Sequence, residues 1–232
     1  MDHLFVIVFA LIYPIVGFIG YRRLLKKFEA DIPVNRKQLY NHTIIWHWIL
    51  FVLALVVWAM SGRDWTLLGV RFDVDVRFMS AVALSIAAIV LLFLQFRQVS
   101  NASEQDVTRL KAEFGQVALI MPQNGSELMQ FNMLSITAGI VEETLWRGYL
   151  IWYLVQIMPV WTAAIISAVG FGIAHSYQGL ANVPKIILVG AIFTGLYVLS
   201  GSLWLPIILH AAVDLFQGRL AYKVLRQRSP AN

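Results

Sequence analysis

From Phe78 to Phe96 the chain carries no charged side chain. Wound as an α-helix, such a run spans about 28 Å, close to the ~30 Å hydrocarbon thickness of a bilayer. Lipid offers the backbone no hydrogen-bonding partner, so a run of this kind must close its own bonds as a helix. Composition extends the constraint to the whole chain. Of 232 residues, 59% are hydrophobic and only 13% charged, whereas a soluble domain carries about a quarter charged residues. The expectation is all-α: a polytopic membrane helix bundle. The lack of cysteine excludes disulfides, thiolate metal ligands and a cysteine nucleophile.

Taken in order, His3 to Tyr21 is long enough to span, with Pro14, Gly17 and Gly20 as kinking or packing positions. Its basic residues, Arg22, Arg23, Lys26 and Lys27, follow the apolar run, which reads as a span rather than a signal peptide. Arg22 to His42, with six basic and two acidic residues, is the clearest cytoplasmic loop. Thr43 to Met60 and Phe78 to Phe96 are the second and third spans, joined by a charge-balanced loop. In the polar stretch Arg97 to Gly125, Ser103 and Asp106 resemble a capping box, and Val107, Leu110, Phe114, Val117 and Met121 recur at helical spacing. This predicts a cytoplasmic amphipathic helix, either on the membrane surface or packed on the bundle as a small solvated helix.

Ser126 is placed to cap a fourth helix running to about Gln156. Val160–Tyr177, Pro184–Ser200 and Leu203 to about Leu220 bring the total to about seven transmembrane helices. Gly190 and Gly195 are available for close packing, and Gly201-Ser202 for a turn. Six helices separate the basic loop from the basic tail of Arg219, Lys223, Arg226 and Arg228, so both lie on one side. The N-terminus is then outside and the C-terminus cytoplasmic, in the cell membrane. The net charge of +5 is accounted for as topology, with no nucleic-acid partner.

Few ionisable groups remain at bilayer depth: Glu142, Glu143, Arg147, His175, His210 and Asp214. A charge at the centre of a membrane helix costs about 2.5–3.5 kcal/mol on insertion scales. Glu143 and Arg147 are four apart, acid before base, and share a face. Glu142 lies about 100° away around the helix and is left without that partner. His47, flanked by Trp46 and Trp48 near a helix end, reads as interfacial, and Lys185 can snorkel. The six deep groups sit on three different helices, an arrangement that favours one hydrated cavity.

The pattern H-E-x-x-H is absent, and so is G-x-S-x-G. Asp214 alone cannot form an aspartic dyad. Glu142 with two histidines remains. Burial raises the pKa of a carboxylate that lacks a counter-ion, toward the range of a general base. A histidine can share a water, donate to an oxyanion or bind a metal.

Three motifs occur in order on successive membrane segments: EETLWR as E-E-x-x-x-R, FGIAH as F-x-x-x-H, and HAAVD as H-x-x-x-N/D. Together they resemble the CPBP intramembrane proteases, the CAAX-processing, bacteriocin-immunity and abortive-infection group with the Ras-converting-enzyme fold. The resemblance covers about Ser126 to Gln217. It implies an endopeptidase that cleaves a membrane-associated peptide or protein inside the bilayer. In that scheme Glu142 activates water with help from His175, Glu143 and Arg147 are the structural pair, and His210 and Asp214 stabilise the oxyanion. Phe171 shapes the cavity around His175 or simply packs.

Asp214 departs from the pattern, because asparagine can donate to an oxyanion and an ionised aspartate repels it. Three arrangements accommodate it. Asp214 is protonated; or it accepts a hydrogen bond from His210 and holds it as a charged donor; or it shares a divalent metal such as zinc with the histidines, the candidate ligands being His175, His210 and Asp214. The domain expectation is a single integral-membrane unit over 1–232, with N-terminal spans and interfacial helix in 1–125 and a catalytic four-helix core in 126–220. Two alternatives stay open: a non-catalytic membrane regulator or immunity protein binding another membrane protein, and an ion or proton pathway.

Overall fold

The computed structural model describes residues 1–100 and 103–226. Arg228 of the basic tail, and Asn101 and Ala102 of the polar stretch, lie outside them. Among the described residues the regular structure is helical throughout. Four helices among the described residues are long and apolar enough to cross a membrane: Asp2–Glu29, Arg36–Met60, Val76–Val99 and Leu180–Ser200.

We number the helices α1, Asp2–Glu29; α2, Arg36–Met60; α3, Val76–Ser100; α4, Glu104–Phe114; α5, residues 125–155; α6, Val160–Ala174; α7, Val183–Ser200; and α8, Trp204–Arg226. α5 is central and packs on α2 and α8, α6 pairs with α7, and α3 lies against α8 and α7. Large apolar side chains such as Leu11, Leu53, Leu91, Ile165 and Leu188 face outward, a surface suited to lipid and costly in water.

Several boundaries differ from the sequence reading. The segment Arg22 to His42 is mostly helical, because α1 continues to Glu29 and α2 begins at Arg36. Lys, Arg, Leu and Glu are good helix formers, and the Asn35 side chain accepts from the Gln38 amide to start α2. In α1, Pro14 lacks an amide hydrogen and crowds the preceding turn. The chain absorbs this with a π-turn over Val8–Ile12. A Cβ at Gly17 or Gly20 would meet nothing within 4 Å, so these glycines serve no close packing.

Ser103 caps α4 as expected, accepting from the Asp106 amide at 3.3 Å. The helix stops at Phe114 and gives way to a 3-10 turn over Gly115–Ile120. α4 packs against α8, and Val107 is buried. Asn124, not Ser126, caps α5 by accepting from the Glu127 amide at 2.9 Å. Tyr40 and Arg36 donate to the carbonyls of Ile120 and Leu119 at 2.6 and 2.8 Å, binding this end of α2 to the 3-10 turn.

At the opposite end Asp2 accepts from Arg63 at 2.8 and 2.6 Å and from the Tyr149 hydroxyl at 2.5 Å. Arg63 also stacks on Trp152, 4.1 Å from the ring centroid. Inward of this latch lies an aromatic core with Phe5, Phe9, Trp58, Trp146 and Tyr149. Gly201 (φ 64) ends α7 in the left-handed conformation that glycine adopts at no steric cost.

Glycine spacing separates into two kinds. A Cβ at Gly139 would lie 2.9 Å from the Ile207 carbonyl oxygen and 3.0 Å from the Ala211 nitrogen, so α5 and α8 touch backbone to backbone there. Gly190 is tight against Phe171 and Arg147, whereas Gly195 faces open space. Gly139→Ala should therefore destabilise the bundle by about 1–3 kcal/mol through overpacking. Gly195→Ala should be neutral or slightly stabilising. Thermal unfolding of the two variants in the same detergent measures the contrast.

Candidate active site

The two adjacent glutamates of α5 point to different neighbours, as residues about 100° apart on a helix must. A π-turn over Thr144–Leu150 follows Glu143 directly. Such turns recur at functional sites because they re-aim side chains while keeping the helix axis. The carbonyl of Trp146 accepts from the Ser167 hydroxyl on α6 at 2.8 Å, giving the widened turn a tertiary partner.

Glu143 and Arg147 are fully buried and 2.9 Å apart. Arg147 uses its remaining donors on α7: Nη2 to the Gly190 carbonyl at 3.0 Å and Nε to the Thr194 hydroxyl at 3.3 Å. Its guanidinium lies 4.3 Å from the Phe171 ring centroid, a favourable cation–π contact away from water. Glu143 also accepts from His210 Nδ1 at 2.6 Å. His210 Nε2 is 3.7 Å from Asp214 Oδ2, a charge contact longer than a hydrogen bond. His210 thus bonds Glu143 through Nδ1 while its Nε2 faces Asp214. Asp214 has 32% of its side chain exposed while His210 has 6%, so the aspartate stands at the wetter edge.

Glu142 has a partner that the sequence reading placed elsewhere. His47 is not interfacial: it is buried, and its Nε2 lies 2.9 Å from Glu142 Oε1. Eleven residues inside α2, it stands about 16 Å along the axis from the helix start. His175 approaches from the other side, with Nε2 3.5 Å from Glu142 Oε2. The two imidazoles are held alike. His47 Nδ1 donates to the Thr43 carbonyl at 2.9 Å and His175 Nδ1 to the Phe171 carbonyl at 2.8 Å, each four residues back on its own helix. Both rings therefore aim Nε2 at the carboxylate. The flanking tryptophans masked this role of His47, and the early start of α2, marked by Asn35, was the signal for it.

α6 has 15 residues, about 22 Å of helix, shorter than a full span. His175 sits at its C-terminal cap, and the expected span to Tyr177 ends at Ala174 instead. Short 3-10 turns over Ser176–Gln178 and Leu180–Asn182 follow. Phe171 is buried with its ring 4.4 Å from that of His175 and 5.9 Å from that of His210. It lies between the Glu142 and Glu143 clusters. Side-chain exposures of 15% for Glu142 and 16% for His175 contrast with zero for Glu143 and Arg147. The Glu142 side chain keeps some exposure, although its Oε2 is buried, whereas Glu143 has none.

A metal set of His175, His210 and Asp214 is not formed. Among the described residues no group of three or more histidine or acidic side chains is placed to hold an ion. Nδ1 of each histidine is bonded, to Glu143 in one case and Phe171 in the other, and Nε2 is the ring nitrogen left for other contacts.

These features define a helical membrane protein with a carboxylate–imidazole centre at depth. Residues 124–216 match the family model described as Type II CAAX prenyl endopeptidase Rce1-like. Over this segment, less than half of its length, the chain is similar to that family of CAAX proteases. The match contains Glu142, Glu143, Arg147, Phe171, His175, His210 and Asp214, and excludes His47. An "Uncharacterized 24.3 kDa protein" of Escherichia coli is 37% identical over 78 residues, which are 32% of this chain and 36% of that protein. The chain thus aligns with about a third of that relative's length. No solved structure matches.

Removing Arg147 should test the sealed pair. Arg147→Met leaves the Glu143 carboxylate without its guanidinium, and buried pairs broken on one side lose about 3–5 kcal/mol. The expected result is a large drop in the thermal midpoint of the purified protein, partly recovered in Glu143→Gln/Arg147→Met.

Proposed function

We propose that the protein is an intramembrane endopeptidase in which Glu142, assisted by His175, activates water to cleave a membrane-associated peptide or protein. The observation that carries this reading is the pairing of Glu142 Oε2 with His175 Nε2 at 3.5 Å. Oε2 makes no hydrogen bond of its own. With Nδ1 donating to Phe171, the neutral His175 ring presents a lone pair at Nε2. A water placed there can donate one hydrogen to each acceptor, and its oxygen lone pair is then free for the scissile carbonyl carbon.

As the oxygen–carbon bond forms, the water's proton passes to Glu142 Oε2. Collapse of the tetrahedral intermediate breaks the carbon–nitrogen bond, and Glu142 returns that proton to the leaving amine. The oxyanion falls to His210. Glu143 accepts its Nδ1 hydrogen, so when the ring carries a second proton Nε2–H is the donor, and Asp214 at 3.7 Å favours that charged form. Substrates of suitable chemistry are a leader peptide, a bacteriocin-like peptide or a lipid-modified tail. The accompanying topology has about seven spans, α4 on the cytoplasmic side, the N-terminus outside and the C-terminus inside. Residues 126–220 form the catalytic core within one membrane domain.

New protein termini in membranes of cells expressing wild type, Glu142→Gln and Glu143→Gln test the assignment. Glu142→Gln should lose the wild-type cleavage products, a fall of about 100-fold or more for loss of a general base. Identical peptide profiles for wild type and Glu142→Gln would place the non-catalytic partner reading first. At the wetter edge, Asp214→Asn should still cleave, because an amide can donate to the oxyanion, and Asp214→Leu should cleave more slowly than Asp214→Asn.

A further inference from the structure

His47 lies on α2, outside the segment that matches the protease family, yet it makes the shortest contact to Glu142. Its ring is fixed from three directions. The Thr43 carbonyl takes the Nδ1 hydrogen at 2.9 Å. The Tyr13 hydroxyl from α1 lies 3.2 Å from the same nitrogen, with its ring edge-on at 5.8 Å. Glu142 Oε1 stands 2.9 Å from Nε2. A carbonyl oxygen only accepts, so Nδ1 carries a hydrogen, and a single proton is held between Nε2 and Oε1.

This contact divides the labour of the carboxylate. Oε1 is anchored, and Oε2, with no hydrogen bond, faces His175. Arg147 gives its charge to Glu143 and its other donors to α7, so no guanidinium is left to orient Glu142. A lone carboxylate at the end of a glutamate side chain has three free torsions, and a base misplaced by about 1 Å loses about 100-fold in rate.

We infer that His47 is a positioning residue for the general base: it clamps Oε1 of Glu142, so that Oε2 alone meets the water and His175. The inference rests on the proposed role of Glu142. It adds that the site is assembled across α2 and α5 and is incomplete in the family-matched segment taken alone. It also assigns Tyr13 and Thr43 as the groups that hold the clamp.

Two measurements on the full chain test this. First, nitrogen NMR of protein labelled with ¹⁵N-histidine follows the ring nitrogens of His47, assigned from their disappearance in His47→Gln. Glu142→Gln should shift both His47 nitrogens and leave those of His3, at the other end of the bundle, unchanged. No shift at His47 would overturn the contact. This arm requires no substrate.

Second, cleavage of a farnesylated quenched-fluorescence peptide should show kcat reduced about 100-fold in His47→Ala, with KM and thermal midpoint close to wild type. His47→Gln, whose amide nitrogen reaches the place of Nε2, should recover part of kcat. Wild-type kcat in His47→Ala would sink the inference and leave the protease reading standing. A fall in kcat matched by an equal loss of thermal stability, without recovery in His47→Gln, would reduce His47 to a packing group. If the wild type cleaves this peptide no better than Glu142→Gln and the two also leave identical protein termini in membranes, the protease reading fails on its own, and the NMR arm still decides whether His47 clamps the carboxylate.

Discussion

The ion pair between Glu143 and Arg147 sets the terms for everything around it. Both side chains are fully buried, and a pair in that position returns its desolvation cost only if its remaining hydrogen-bonding capacity is used. The bundle supplies most of those partners from separate helices, with Glu143 Oε2 left unbonded. α7 offers a glycine carbonyl and a threonine hydroxyl to the guanidinium, and α8 offers His210 to the carboxylate. Gly190 earns its place here, since a side chain would press on both Phe171 and Arg147. The pair therefore joins three helices, and its electrostatics are inseparable from their packing.

Beside it, Glu142 occupies a different environment although it is the next residue. It is flanked by two imidazoles instead of a guanidinium, and its exposure is 15% against zero for Glu143. Imidazoles can give or take a proton near neutrality where a guanidinium cannot. A carboxylate paired with a guanidinium and one flanked by imidazoles are thus separated by helix geometry alone. The short α6 contributes, because ending the helix at Ala174 brings His175 to the carboxylate from a cap instead of from a helix flank.

Much of this was legible in the sequence for definite reasons. Apolar runs gave the helices, since hydrocarbon leaves the backbone no other option. The spacing of Glu143 and Arg147 gave their pairing, since four residues bring side chains onto one face. The order of the three motifs gave the resemblance that the family model also finds over residues 124–216. Partners distant in the chain were not legible. His47 is 95 residues from Glu142, and no periodicity links them; its tryptophan neighbours suggested a membrane interface instead. The bond of His210 to Glu143 depends on how α8 packs on α5, where Gly139 lets the backbones meet. Helix ends were misjudged wherever a helix ran beyond its apolar stretch, as at Arg22–Glu29 and Arg36–His42.

The adjacency of two carboxylates with unlike partners has a mechanical consequence. Each consecutive residue turns by about 100°, so the contacts of Glu142 with α2 and α6, and of Glu143 with α8, can all be satisfied at only one rotation of α5 about its axis. A slip of one position would drive a glutamate into lipid or strand Arg147 without its anion. The doublet acts as a key in a keyway, indexing the central helix so that the rest of the bundle can assemble in a single phase.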